Sequence, residues 1–175
     1  MSNKLVGVLA GVAVLVTGCG AAAGGSDESS GSSASTARTS GPFFGECGSV
    51  TDEEVAAAFG VPSFGSVVRN SVGCEWQVSP AAGQPGPHVS FSWYRGSPIG
   101  RERAGSELIG RPATDIEIEG RPGFEASVSS RLCELGVEFD DDFVHWSVAY
   151  VDSVPSADPC TAARHLAELT ASRGK

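Results

Sequence analysis

Four cysteines, Cys47, Cys74, Cys133 and Cys160, constrain the fold of this 175-residue chain more than any other feature. No two of them form a C-x-x-C pair, so neither a zinc cluster nor a thioredoxin-like redox pair is indicated. In an oxidising compartment four such cysteines make two disulfides. Three pairings are possible. Cys47–Cys74 with Cys133–Cys160 is the favoured one, because each bond then joins neighbouring elements. Each would close a loop of about 28 residues and contribute roughly 3.5 kcal/mol on the chain-entropy account.

The N-terminus supplies the compartment. Met1 to Lys4 is a short polar start with one positive charge, and Leu5 to Val16 is apolar or small throughout. These are the first two zones of a secretory signal. A spanning helix needs about 20 apolar residues, and this run is shorter. It ends Val16-Thr17-Gly18-Cys19, which resembles the lipobox of bacterial lipoproteins. That resemblance implies a diacylglycerol on the Cys19 sulfur, cleavage before Cys19, and residence on the extracytoplasmic face of the cell membrane. The fifth cysteine is thereby accounted for, and two or more acyl chains anchor stably where one does not.

Gly20 to Pro42 is almost entirely Gly, Ala, Ser and Thr. Such a segment cannot bury a core. The expected organisation is a signal peptide over 1–18, a lipidated Cys19 with a disordered tether over 19–42, and one globular domain over 43–175. Removing residues 1–18 takes away Lys4 and no acid, so the net charge of −9 becomes −10. That sign disfavours nucleic acid and disfavours a basic patch on anionic lipid. Between Leu132 and Ala163 there are seven acids and no Lys or Arg.

Within the domain, Thr51-Asp52-Glu53-Glu54 is a capping box opening a short helix that Gly60 and Pro62 end. Cys74–Val78 alternates as a strand. Val89, Phe91 and Trp93 share one face of the next, with His88, Ser90, Ser92 and Tyr94 on the other. Ile99–Ile109 is a helix weakened by Gly100 and Gly105. Ile116 and Ile118, a turn at Gly120–Gly123, and Phe124–Val128 make a hairpin. A second hairpin is expected to pair Phe139 with Val144, Val137 with Trp146, Leu135 with Val148 and Cys133 with Tyr150. Its loop is then Asp140–Phe143, a better match than a loop one residue shorter. Asp158-Pro159 starts a terminal helix with Ala162, Leu166 and Leu169 inward and Ala163 and Thr170 at the margins. The fold class is α+β: a meandering antiparallel sheet with about three helices, stapled by two disulfides.

Gly41-Pro42-Phe43-Phe44, Asn70 to Trp76, Phe91 to Arg103, Leu132-Cys133-Glu134 and Asp141-Asp142-Phe143 with Trp146-Ser147-Val148 resemble an actinobacterial lipoprotein family built on a domain of unknown function. The resemblance spans nearly everything from Gly41 onward. It implies an envelope lipoprotein and carries no activity, catalytic residue or ligand.

Catalytic templates are few. No G-x-S-x-G elbow, H-E-x-x-H or P-loop is present. A triad assembled from distant positions would have to use His88, His145 or His165, so an envelope hydrolase is the alternative reading. Asp140-Asp141-Asp142 lacks the ligand spacing of a calcium loop and reads as a solvated turn. His145 is expected to face Glu138 as a surface pair. The binding candidates are Tyr94, Arg95, Arg101 and Arg103, since aromatic and Arg groups concentrate at interaction hot spots. The leading expectation is a non-enzymatic module without metal or cofactor, attached to the membrane by its N-terminal lipid. It would bind an envelope protein, glycan or lipid, and not nucleic acid.

Overall fold

The computed structural model describes residues 40–79, 86–151 and 153–175. Cys19, the expected signal peptide and the expected tether up to residue 39 lie outside them. A 3-10 turn, Glu46–Ser49, leads into α1 (Asp52–Phe59); then come β1 (Ser66–Asn70), β2 (Gly73–Gln77), β3 (His88–Tyr94), α2 (Ile99–Leu108), β4 (Ala113–Ile118), β5 (Arg121–Ser129), β6 (Leu132–Phe139), β7 (Asp142–Ala149) and α3 (Pro159–Arg173). The fold is α+β with both expected disulfides, Cys47–Cys74 and Cys133–Cys160.

The seven strands form one sheet in the order β1-β2-β3-β7-β6-β5-β4, every neighbour antiparallel. Two meanders, β1–β3 and β4–β7, are joined where β3 pairs β7, with Phe91 opposite Trp146. On one face Trp76, Val89, Phe91, Trp146, Val148, Cys133, Leu135 and Val137 pack with α1 and α3 into the main core. Ala162 and Leu166 are buried as expected, together with Ala163, Ala167 and Thr170, while Leu169 is only partly covered. The inward face therefore also takes in Ala163 and Thr170, which the spacing placed at its margin. Caps behave as expected: Thr51 Oγ1 accepts from Glu54 N at 3.3 Å, Glu54 Oε2 accepts from Thr51 N at 2.9 Å, and Asp158 Oδ1 accepts from Thr161 N at 2.8 Å.

The other face is polar. Helix α2 lies over β4, β5 and β6 and buries fully only Ser106, whose hydroxyl donates to Glu134 Oε2 at 2.8 Å. Arg111 pairs with the other Glu134 oxygen. Strand β7, at the centre of the sheet, is buried along its whole length.

The second hairpin corrects the expected register. Phe139 pairs Asp142, Val137 pairs Val144, Leu135 pairs Trp146 and Cys133 pairs Val148. The slip is two residues, leaving a two-residue turn, Asp140-Asp141, with Asp140 at φ 58°. Side-chain alternation rejects a one-residue slip but is blind to a slip of two. Turn geometry decides it, since Asp tolerates the left-handed backbone of a tight hairpin turn. His145 consequently sits opposite Gly136, not Glu138, and is buried rather than exposed. Asp142 is buried too, accepting from Gly96 N at 2.8 Å. Only Asp140 and Asp141 occupy the exposed tip. Strand β1 lacks an alternating apolar pattern and was not expected from the sequence; it pairs with β2 over five residues.

Candidate functional site

Trp93 is the penultimate residue of β3. Phe44 is fully buried and meets its ring edge-on at 5.5 Å; Phe43 does so at 5.6 Å while remaining 62% exposed. The Arg95 guanidinium lies over the Trp93 ring, 4.0 Å from its centroid, a cation–π arrangement. Trp93 Nε1 is buried and meets no acceptor among the described residues. Buried polar atoms are generally satisfied, so this N–H is a point of interest.

Three segments frame this aromatic–Arg pair. The first is the β1–β2 turn, where Asn70 Oδ1 accepts from Val72 N at 2.9 Å and Gly73 N at 3.0 Å, while Val72 O accepts from Trp93 N at 2.8 Å. A Cβ at Gly73 would collide with the Phe91 carbonyl, which fixes glycine there. The second is Gly96, held by Asp142. The third is the chain entering the domain: Ser40 and Gly41 run beside Asp142, and Phe43 exchanges backbone hydrogen bonds with Lys175 at 2.7 and 3.1 Å.

Adjoining grooves open between these segments. One of 540 Å³ is lined by Ser71, Val72, Ser92, Tyr94, Arg95 and Ser97 beside Trp93. One of 450 Å³ runs between Ser40, Phe43, Arg95 and Asp142, and one of 350 Å³ between Phe43, Glu46, Asn70 and Val72. All three share Trp93 and Arg95. A fourth, of 260 Å³, continues past Gly96 to Asp140. Such a mixture of aromatic walls, one guanidinium and small polar groups suits ligand contact.

Of the four binding candidates the fold brings two together. Arg95 covers Trp93, and Tyr94 lines the largest groove while stacking on Phe143 at 4.4 Å. Burial, then the Glu102 charge, raises the Tyr94 phenol pKa. Arg101 is exposed on α2. Arg103 is engaged by Asp115, by Glu107 at 3.2 Å and by the Ala113 carbonyl at 3.2 Å. Phe43, Asn70 and Val72 were not singled out as site residues. The Phe43-Phe44 pair and the Asn70–Gly73 turn were visible, but only topology places them beside Trp93.

The three histidines are scattered. His88 Nδ1 lies 2.8 Å from the Gly86 carbonyl, and His165 is exposed on α3. His145 is closed in opposite Ser92 and Gly136, with its ring 6.3 Å from Phe124 and Nε2 meeting no partner among the described residues. Burial lowers its pKa; Glu102 and Glu134 pull the other way. None of the three lines the grooves around Trp93. Glu125, Cys133 and Cys160 place potential ligand atoms within 4.8 Å of one another. Both sulfurs are in one disulfide, so no thiolate is offered to a metal. No helix among the described residues is long and apolar enough to cross a membrane.

Comparison with known proteins gives concordant results. The profile of the family described as "Protein of unknown function (DUF3558)" matches residues 14–173. A Mycobacterium bovis protein named "Putative lipoprotein LprB" is 43% identical over 140 residues, spanning 77% of this chain and 74% of its own. The Mycobacterium tuberculosis protein of that name gives the same identity and coverage. The Mycobacterium leprae one is 40% identical over 170 residues, spanning 92% and 88%. No solved structure matches the chain.

Proposed function

From the premise that this chain belongs to DUF3558, a family of proteins of unknown function, we propose that it is a cell-envelope lipoprotein with a non-enzymatic binding domain. In this reading residues 1–18 are removed and Cys19 carries the lipid. Residues 19–42 link it to the domain of 43–175, on the extracytoplasmic face of the membrane. Support for the anchor comes from Val16-Thr17-Gly18-Cys19 and from the lipoprotein name of the mycobacterial relatives. The observation that carries the binding reading is the convergence of adjoining grooves on Trp93 and Arg95. Their walls offer stacking, one guanidinium, hydroxyls and the carboxylate of Glu46, which is the chemistry of recognition.

Two experiments test this. Metabolic labelling with a clickable fatty acid should mark the parent and not Cys19→Ser; equal label on both sinks the anchor. For the domain, the full chain is screened by thermal shift against envelope lipids, glycans and divalent metals. A hit should raise Tm in the parent and in Arg101→Glu, but not in Arg95→Glu. A hit that survives Arg95→Glu would place binding elsewhere. A product released from an envelope substrate, abolished by alanine at His88, His145 or His165 in a folded variant, would favour the hydrolase.

A further inference from the structure

The groove end of the domain is also where the anchored segment joins it. Ser40, which lines one groove, is separated from Cys19 by twenty residues. Even fully extended, that link reaches at most about 70 Å. It holds this end near the bilayer at high local concentration. Here two apolar side chains stand out, Phe43 and Val72, each 62% exposed and both lining the same groove. Beside them sit Trp93, Tyr94 and Arg95. Aromatic rings with a polar edge and an Arg with an apolar stem are the side chains that settle at headgroup level.

We propose, building on the lipid-anchor reading, that this end docks on the outer interface of the bilayer that holds Cys19. Phe43 and Val72 enter the acyl boundary and Arg95 meets the headgroup layer. The grooves then open toward amphiphiles presented by that same membrane. Charge favours a neutral over an anionic surface as the primary contact. Glu46 and Asp140 flank the grooves, and the chain is acidic, so the attraction is apolar and should resist added salt. Leu108 is more exposed still, at 87%, but it lies at the far end of α2. That helix starts with Ile99 near Gly136 and reaches Glu134 by Ser106, running away from the Phe139 end where Gly41 sits. Leu108 therefore serves as an internal control.

The test uses the full lipidated chain reconstituted into phosphatidylcholine vesicles containing a lipid nitroxide-labelled high on its acyl chain. Phe43→Trp and Leu108→Trp each add one reporter to the parent tryptophans. Added fluorescence from Phe43→Trp should be quenched several-fold more than that from Leu108→Trp, with little effect of salt. Phe43→Ser combined with Val72→Ser should expose the end to a soluble quencher. Equal quenching of both reporters, or none at position 43 while the chain floats with the vesicles, overturns the docking and leaves the anchor standing. Loss of flotation overturns the anchor instead. In that case Cys19→Ser/Phe43→Trp, added in excess to the same vesicles, decides docking by the same quenching. Self-association abolished by Val72→Ser, without quenching, would show that a second copy covers this face.

Discussion

Against the face covered by α3 lie two stacked tryptophans, Trp76 and Trp146, with ring centroids 5.8 Å apart, and a continuous apolar layer sealed by two disulfides. Against the face covered by α2 lie Ser106, Glu134, Arg111 and His145. The first face is held by area removed from water, which is non-directional and large in sum. The second is held by directional bonds, each worth about 1 kcal/mol net, whose loss leaves a buried partner unsatisfied. A domain built this way has an apolar frame on one side and a hydrogen-bonded polar layer on the other.

The sharpest break between the faces is a pair of truncations. Trp146→Ala should cost about 3–5 kcal/mol, and Ser106→Ala about 1 kcal/mol, by urea denaturation of the full chain. Similar losses at both would erase the distinction. Next comes Cys133→Ser with Cys160→Ser, which links β6 to α3 on the apolar face. It should cost roughly 3.5 kcal/mol, read as a fall in the denaturation midpoint.

A smaller effect separates the faces by pH. His145 has its pKa lowered by burial, so the unfolded chain binds its proton more readily. Its contribution is fully present above the unfolded value of about 6.5 and is lost as pH falls toward the depressed folded value. His145→Phe should flatten the midpoint-versus-pH curve across that window; an unchanged slope would show that His145 does not report there. The smallest effect belongs to the α1–α3 contact. Glu54 is held down to about 2, first by the hydrogen bond from Arg173, then by the Thr51 backbone N–H. Its contribution is present above about 4.5 and is lost as pH falls toward 2. The pair is one-third exposed, so Glu54→Gln should cost no more than about 1 kcal/mol at neutral pH.

The apolar face was legible because its signals are local. Alternation in β2 and β3, the Thr51 and Asp158 caps, and cysteines joining neighbouring elements each speak for themselves, and both disulfides follow. The polar face was not. Nothing in the α2 sequence says which side it covers, and His145 is interior because the register sets it in the middle of the sheet, opposite Ser92 and Gly136. The hairpin slip arose because apolar pairing does not separate registers two residues apart, whereas the left-handed φ of 58° at Asp140 does. Of the site, Tyr94 and Arg95 were legible as an aromatic–Arg run. Phe43 and Val72 were not, because three separate segments must converge before they become neighbours.

Amide hydrogen exchange, compared between the chain in its own membrane fraction and the same chain in detergent, tests most directly that the Trp93–Arg95 end is where this molecule meets its partner. Protection gained on the membrane should map to residues 70–73, 93–97 and 140–141, leaving 106–111 and 129–132 unchanged. Protection confined to those latter segments, or spread evenly over both ends of the sheet, would contradict it.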